Sequence, residues 1–93
     1  MSTKIDTYSY GIVLFEMATG LRAYDDSRPE KKLLRELIEA WKDKDISLLI
    51  DKKGGEEHKQ VYNNLISIGN WCAHGLAQDR PEMEFVFKML NDL

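Results

Sequence analysis

The sequence is poor in cysteine and has no long hydrophobic run. Its single cysteine, Cys72, cannot form an internal disulfide, which favours a reducing, cytoplasmic setting. The longest mostly apolar stretch, Tyr8 to Ala18, falls well short of the about 20 residues that a membrane span needs. That stretch follows Asp6 and lacks both a basic start and a small-residue cleavage site, so we expect neither a membrane span nor a signal peptide.

The sequence also lacks an excess of basic residues. Its 13 Lys and Arg against 16 Asp and Glu leave a net charge of −3, which argues against nucleic acid as a partner. No stretch shows convincing period-two alternation, and there are no internal repeats. At 93 residues the chain suffices for one small domain. We therefore expect a single all-α domain.

The Tyr8 to Ala18 stretch organises the rest of the chain. Only Ser9, Gly11 and Glu16 interrupt its apolar residues. A helix that is apolar all round is expected to be enclosed on every side, which predicts a helical bundle around a buried central helix. Asp6 or Thr7 is the expected N-cap, and Gly20 the expected end, since glycine readily takes the left-handed conformation found there.

A loop and a second, amphipathic helix follow the central helix. We expect Tyr24 to anchor the loop, and Ser27 with Glu30 to form a capping box around Pro29. The helix, extending to Trp41, is expected to bury one stripe and expose a charged face. The predicted stripe is Leu33, Leu34, Leu37, Ile38 and Trp41, and the charged face is Lys31, Lys32, Arg35, Glu36 and Glu39.

The rest of the chain predicts a short packed segment, a loop and two further helices. The segment contains Ile46, Leu48, Leu49 and Ile50, and the loop is Lys52-Lys53-Gly54-Gly55. The third helix is expected from Glu56 to Ala73, with a stripe of Val61, Leu65, Ile68 and Cys72. The last is expected to have Asp79, Pro81 and Glu82 at its start. Its predicted buried stripe is Met83, Val86, Phe87 and Leu90, with Phe85 and Met89 off it.

Two motifs carry a family resemblance. Asp6-Thr7-Tyr8-Ser9-Tyr10-Gly11 resembles the Asp-x-Trp/Tyr-Ser-x-Gly signature that opens the central helix of the C-terminal lobe of protein kinases. Cys72, followed by Asp79-Arg80-Pro81-Glu82-Met83, is similar to the closing pattern of that lobe. Among kinases the pattern most resembles Pelle, the interleukin-1-receptor-associated kinases and plant receptor-like kinases. The segments 20–25 and 50–53 favour the interleukin-receptor-associated group.

The resemblance implies that residues 1–93 are a partial protein-kinase domain, from the central helix to the last helix of the C-terminal lobe. Such kinases transfer phosphoryl groups from ATP to protein hydroxyls, using a Gly-rich loop, a strand lysine, and His-Arg-Asp and Asp-Phe-Gly motifs. None of these, nor an Ala-Pro-Glu element, occurs in the sequence. We therefore expect no catalytic residues and no cofactor site here, with ATP and magnesium bound by the parent kinase. Met1 could be a misplaced gene start, a true truncation or a fragment edge.

Four residues are expected to anchor the motifs, namely Asp6, Gly11, Glu16 and Arg80. Asp6 is a helix cap by composition; by resemblance it holds the backbone of the catalytic loop. Glu16, inside an apolar helix, must reach solvent or find a partner, because an unpaired buried charge is costly. Arg80 resembles the arginine that pairs with the glutamate of Ala-Pro-Glu. Without that glutamate it is either solvated or paired with another acid.

Two classes of function remain open. In the first, the chain is the scaffold of a serine/threonine kinase in receptor or innate-immune signalling, in contact with the rest of the kinase domain, protein substrates and adaptors. In the second, it is a stand-alone, non-catalytic interaction module or a truncated kinase regulator. In both, the second helix is the expected docking surface, through Arg35, Glu36 and Glu39. Cys72 and His74 fall short of a four-ligand metal site.

The resemblance also predicts how the isolated chain behaves. The helix that precedes the central helix in a kinase lobe, and the catalytic loop, are both missing from the sequence. Apolar side chains among Tyr8, Tyr10, Ile12, Leu14 and Phe15 are therefore expected to be partly exposed, and the chain to self-associate or pack loosely.

Overall fold

The computed structural model describes residues 3–50 and 55–93, and the described part of the chain has no β-strand. The predicted all-α class is confirmed. The Cα radius of gyration is 13.0 Å, close to the about 12 Å expected of a folded domain of this length. The four α-helices, in chain order, are α1 (Lys4–Thr19), α2 (Leu34–Ala40), α3 (Lys59–Cys72) and α4 (Met83–Asn91), with 3₁₀ turns at Ile46–Leu49, Glu56–His58 and Ala77–Asp79.

Helix α1 starts earlier than the sequence indicated. Its N-cap is Thr3, whose hydroxyl accepts the backbone N–H of Asp6 at 3.2 Å. In return the Asp6 carboxylate accepts the backbone N–H of Thr3 at 3.0 Å, which completes a capping box. Asp6 is thus the third helical residue and not the cap. The end of the helix is as predicted: Gly20 has φ 72° and donates its N–H to the Glu16 carbonyl at 2.8 Å.

The two faces of α1 differ sharply in burial. The inner face packs mainly on α3, and Leu14 and Phe15 are each only 1% exposed. On the outer face Ile5 is 74% exposed, Met17 is 57% exposed, and Val13 is also exposed. The expectation of a helix enclosed on every side is therefore wrong for the described residues. The buried residues of the inner face are Thr7, Gly11, Leu14, Phe15, Ala18 and Thr19.

Two glycines set the distance between α1 and α3. A Cβ added at Gly11 would lie 2.8 Å from the Cys72 Cβ and 2.9 Å from the Gly69 carbonyl oxygen. A Cβ added at Gly69 would lie 2.6 Å from the Phe15 ring. All three distances are shorter than atoms tolerate, so the two helices approach each other closely only because positions 11 and 69 are glycine.

The segment between α1 and α2 forms turns and bends at residues 26–30, where a helix start was predicted. Ser27 does not cap: its hydroxyl donates to Asp25 at 2.6 Å. Arg28 donates from Nη2 to the carbonyls of Arg22 and Lys32, at 2.7 and 2.8 Å, and so ties the two ends of the segment together. An isolated antiparallel bridge between Tyr24 and Leu33 continues this pairing. The predicted capping box is wrong, because Ser27 bonds Asp25 and the helix begins only at Leu34.

Other side chains in this part of the fold also differ from the predicted stripe. Tyr24 is exposed and does not anchor the loop, a role that Arg28 takes. Leu34 and Ile38 are buried as predicted, whereas Leu33 is exposed because it lies in the extended bridge. Beyond α2, Ile50 is buried as predicted; the predicted loop at 52–54 lies outside the described residues.

Helices α3 and α4 complete the core. In α3 the predicted residues Leu65, Ile68 and Cys72 are buried, but Val61 near its start is exposed. Helix α4 has no side-chain cap: Asp79 ends a 3₁₀ turn, and its carbonyl accepts the Trp71 indole N–H at 3.0 Å. The predicted cap is therefore wrong. The core residues of the second half of the chain are Ile50, Leu65, Ile66, Ile68, Cys72, Ala73, Met83 and Val86.

The stripe of α4 was predicted only in part. Met83 and Val86 are buried, and Leu90 packs against the core. Phe87 is exposed and contacts only an edge of the core, through a T-shaped arrangement with Tyr10 at 6.1 Å. Met89, predicted to lie off the stripe, packs against the core in its place.

Candidate functional site

Asp6 and Glu16 occupy opposite ends of α1. The Asp6 carboxylate is exposed, and one of its oxygens accepts the Thr3 N–H. The carboxylate can therefore accept a further hydrogen bond from another group. Glu16 is half-buried, and its carboxylate accepts the backbone N–H of Ala23 at 3.1 Å. Its partner is therefore the main chain of the segment leading to α2. This bond draws that segment back onto the end of α1.

Arg80 is partly exposed, and its hydrogen bonds go to backbone carbonyls and not to an acid. Its Nε donates to the carbonyl of His74 at 2.7 Å, and its Nη1 donates to the carbonyl of Lys4 at 3.2 Å. Its Cζ lies 4.8 Å from the centroid of the Tyr8 ring, within cation–π distance. Among the salt bridges of residues 3–50 and 55–93, none involves Arg80. Arg80 thus contacts backbone carbonyls and an aromatic face in place of an acid.

Arg35 on α2 reaches the same ring. Its Cζ lies 5.8 Å from the Tyr8 centroid, and its Nε donates to the carbonyl of Ala73 at 3.1 Å. Arg35 and Arg80 thus hydrogen-bond the consecutive carbonyls of Ala73 and His74, just beyond the C-terminus of α3. Cations are favourable there because the helix dipole leaves the last carbonyls partly negative. We call this cluster of Tyr8, Arg35 and Arg80 the Tyr8 cluster.

The start of α1 is joined to the start of α4 beside the Tyr8 cluster. The Lys4 amine lies 3.0 Å from the Glu82 carboxylate and also donates to the Arg80 carbonyl. Together with the bond from Arg80 to the Lys4 carbonyl, these contacts cross-link two segments that are 76 residues apart. The start of α1, helix α2, the residues after α3 and the segment leading into α4 therefore meet around Tyr8.

A groove of about 480 Å³ opens next to the Tyr8 cluster, between α2 and the end of α3. We call it the α2–α3 groove. Phe15 and Ala73 provide its apolar lining. Its polar lining residues are Arg35, Glu39, Lys42, Asn70 and His74, with Gly75 at its edge.

The charges of the α2–α3 groove are partly paired. The Lys42 amine lies 2.8 Å from the Glu39 carboxylate, and this hydrogen bond holds the pKa of Glu39 below its usual value. The same contact raises the pKa of Lys42. The His74 Nδ1 accepts the backbone N–H of Leu76 at 3.1 Å, which leaves Nε2 as the ring's hydrogen-bond donor. Glu36 lines a smaller cavity of about 180 Å³ that Tyr8 and Arg35 also line.

The structure brings some of the predicted site residues together and separates others. Arg35 and Arg80 meet at Tyr8, and Arg35 and Glu39 share the groove. Asp6 and Glu16 act at separate helix ends. Sequence reasoning missed Tyr8 and His74 as contact residues and Gly69 as the partner of Gly11. The signal at Gly69 was readable, since a glycine inside an apolar helical stripe often marks a close approach.

In the part of the chain that the structure describes, no three His, Cys, Asp or Glu side chains come together as a metal centre needs, so its donor set does not fit magnesium. Cys72 is fully buried, and burial raises the pKa of its thiol to about 11. It is a core residue of the α1–α3 contact. No helix in the described ranges is long and apolar enough to cross a membrane.

Known proteins that resemble this chain are serine/threonine kinases. A probable LRR receptor-like serine/threonine-protein kinase of Arabidopsis thaliana is 35% identical over 95 residues, covering 97% of this chain and 16% of the relative. The Pelle-like serine/threonine-protein kinase pik-1 of Caenorhabditis elegans is also 35% identical, over 97% of this chain and 21% of the relative. Receptor-like protein kinase HSL1 of Arabidopsis thaliana is 31% identical over the whole chain and 9% of its own length. No family model matches the chain.

Proposed function

The chain belongs to the family of receptor-like and Pelle-like serine/threonine protein kinases, and we propose that it is a scaffold and docking portion of such a kinase. It spans between about a tenth and a fifth of the length of these relatives. The proposed activity of the whole protein is phosphoryl transfer from ATP to protein hydroxyls in cytoplasmic receptor signalling. A stand-alone interaction module is not favoured, because these relatives are kinases.

The outer face of α1 is the observation that carries the proposal. Ile5, Val13 and Met17 are exposed on it, although the opposite face of the same helix is closed. Exposed apolar side chains grouped on one side of a structure mark an interaction surface. We propose that the remainder of the kinase domain covers this face. The chain would then join two parts of one domain, with α1 buried between them.

Particular residues take proposed roles in that assembly. Asp6, with spare acceptor capacity at the start of α1, would hold the backbone of the catalytic loop. Arg80, held on the Tyr8 ring and bound only to carbonyls, would receive the glutamate of an Ala-Pro-Glu element through a charge-assisted pair. ATP and magnesium would be bound by other parts of the kinase. Helix α2, with Arg35, Glu36 and Glu39, would face substrates or adaptors.

A chimera tests the proposal without requiring any further sequence. The matching segment of pik-1 would be replaced by this chain, and phosphoryl transfer from ATP to a protein substrate would be measured. A chain that supplies the kinase scaffold should leave the chimera active. A folded and ATP-binding chimera with no activity, beside an active pik-1 control, would count against the proposal.

An Asp6→Ala version of the chimera separates scaffolding from simple capping. If Asp6 serves only the capping box of α1, the substitution should lower thermal stability slightly, by about 1 kcal/mol, and leave activity nearly intact. If it also holds the catalytic loop, activity should fall at least about tenfold at the same small cost in stability. Thr3→Ala is the matched control, since it removes the other half of the capping box.

A further inference from the structure

We propose that the α2–α3 groove docks an acidic peptide segment of a partner protein, with a carboxylate of that segment bound to Arg35. The inference rests on the proposed docking role of α2 and names the chemistry of the partner. The groove volume of about 480 Å³ lies within the range of protein sites that bind small ligands or a few peptide side chains.

The charge balance of the groove favours an anionic partner. Glu39 is the one carboxylate among its lining residues, and it is already paired with Lys42 at 2.8 Å. Arg35 is in no salt bridge among the described residues. The groove therefore retains one positive charge that no carboxylate of the described chain neutralises, although the whole sequence carries −3.

Arg35 is also held in place before any partner arrives. Its Nε is bound to the Ala73 carbonyl, and its guanidinium lies over the Tyr8 ring. These contacts leave both terminal nitrogens as donors, and a planar guanidinium binds a carboxylate through two parallel hydrogen bonds. A Cβ added at Gly75 would contact Nη2 at 3.4 Å, so a side chain at this position would crowd the guanidinium and glycine does not. A fixed donor loses little entropy on binding.

The surroundings of Arg35 suit a peptide carboxylate better than a phosphate. The groove offers a single unpaired cation, and Glu36 lies exposed beside it on α2, which disfavours a doubly charged anion. Asn70 and His74 add neutral polar groups that can bond a peptide backbone.

Fluorescence polarisation with a defined pair of peptides tests the proposal. The probe is a fluorescein-labelled peptide with two glutamates flanking a leucine, and its twin carries glutamines in their place. The 93-residue chain should bind the glutamate peptide at least about fivefold more tightly than the twin. Arg35→Gln should abolish that preference, whereas Lys31→Gln, an exposed lysine that does not line the groove, should preserve it.

A second variant distinguishes a specific loss of binding from a loss caused by misfolding. Glu39→Gln releases Lys42 from its ion pair and adds a second free cation to the groove. It should tighten binding of the glutamate peptide by about two- to fivefold, which an unfolded variant cannot do. Equal affinity for both peptides, no binding at millimolar concentration, or unchanged or weaker binding by Glu39→Gln would overturn the proposal.

The peptide experiment and the chimera experiment fail separately. An active chimera whose chain shows no preference for the glutamate peptide would overturn the groove proposal alone. If the 93-residue chain prefers the glutamate peptide but the chimera is inactive, the result would support the groove proposal and count against the kinase-scaffold proposal.

Discussion

The two faces of α1 have similar composition and opposite environments. The inner face presents Leu14 and Phe15 to α3 and is closed by the glycine crossing at Gly11 and Gly69. The outer face presents Ile5, Val13 and Met17, and the rest of the described chain does not cover it. A helix with apolar side chains on both faces is therefore expected to be buried on both faces, but its sequence does not show which partner buries each face. Here one partner lies within the chain, and we propose that the other is the remainder of a kinase domain.

The largest expected difference between the faces concerns large-to-small substitutions. Phe15→Ala should lower the free energy of unfolding by about 3–5 kcal/mol, because it removes a fully buried ring and leaves a cavity. Met17→Ala, on the outer face, should change it by less than about 0.5 kcal/mol. Urea denaturation of both variants measures the contrast. Similar losses for the two would show that the faces do not differ.

The close contact of α1 and α3 at Gly11 and Gly69 predicts a smaller change in the free energy of unfolding. The sign of that change shows whether the contact is present. Gly11→Ala should destabilise by about 2 kcal/mol, because the added methyl meets the Cys72 Cβ and the backbone of α3. Helix propensity alone predicts the reverse, a gain of about 1 kcal/mol. Ser9→Ala, on the exposed side of the same helix, is the matched control and should be neutral or slightly stabilising. A more stable Gly11→Ala variant would refute the close contact.

The outer face is expected to drive association of the isolated chain. Val13→Lys combined with Met17→Lys should weaken self-association at least about tenfold, because one apolar side chain buried at an interface contributes about 1.5–3 kcal/mol. Sedimentation velocity and binding of a hydrophobic dye measure the change. Lysines at Leu48 and Leu76, which are exposed elsewhere, are the control and should have less effect. A chain that is monomeric before any substitution would contradict this expectation.

The smallest effect concerns Cys72 on the inner side. Burial raises the pKa of its thiol to about 11, above the about 8.5 of an unfolded chain. The stabilisation from keeping this thiol neutral is therefore complete below pH 8.5 and is lost as the pH rises to about 11. Between pH 8 and pH 10.5 the unsubstituted chain should lose more stability than Cys72→Ala, as followed by denaturant midpoints. Parallel pH profiles would show that the thiol does not titrate differently on folding.

Local patterns predicted part of this fold well. The stripe of Leu65, Ile68 and Cys72 in α3 repeats at helical spacing, and a helix with one apolar face can bury only that face. Gly20 was predicted as the end of α1 because its conformation depends on one residue. In α1 itself periodicity could not separate the faces, since both carry apolar side chains. The resemblance to kinases was likewise carried by short motifs at both ends of the chain.

What the sequence could not predict depends on contacts between distant segments. The start of α2 was placed too early because Arg28 ties the carbonyls of Arg22 and Lys32, which no local pattern reveals. Arg80 was expected to be either solvated or paired with another acid, and its binding to two carbonyls and the Tyr8 ring was not predicted. The docking role of Arg35, Glu36 and Glu39, and the roles of Asp6 and Arg80 in a whole kinase, stay predictions.

Oxidation of methionine by hydrogen peroxide most directly tests whether a kinase domain covers the outer face of α1. Met17 lies on that face, and the buried Met83 in the core is its internal reference. In the isolated chain at low micromolar concentration, mass spectrometry should find Met17 oxidised several-fold faster than Met83. In the pik-1 chimera the Met17 rate should fall to near that of Met83. Equal rates in the isolated chain, or a Met17 that stays as reactive in the chimera, would contradict the account.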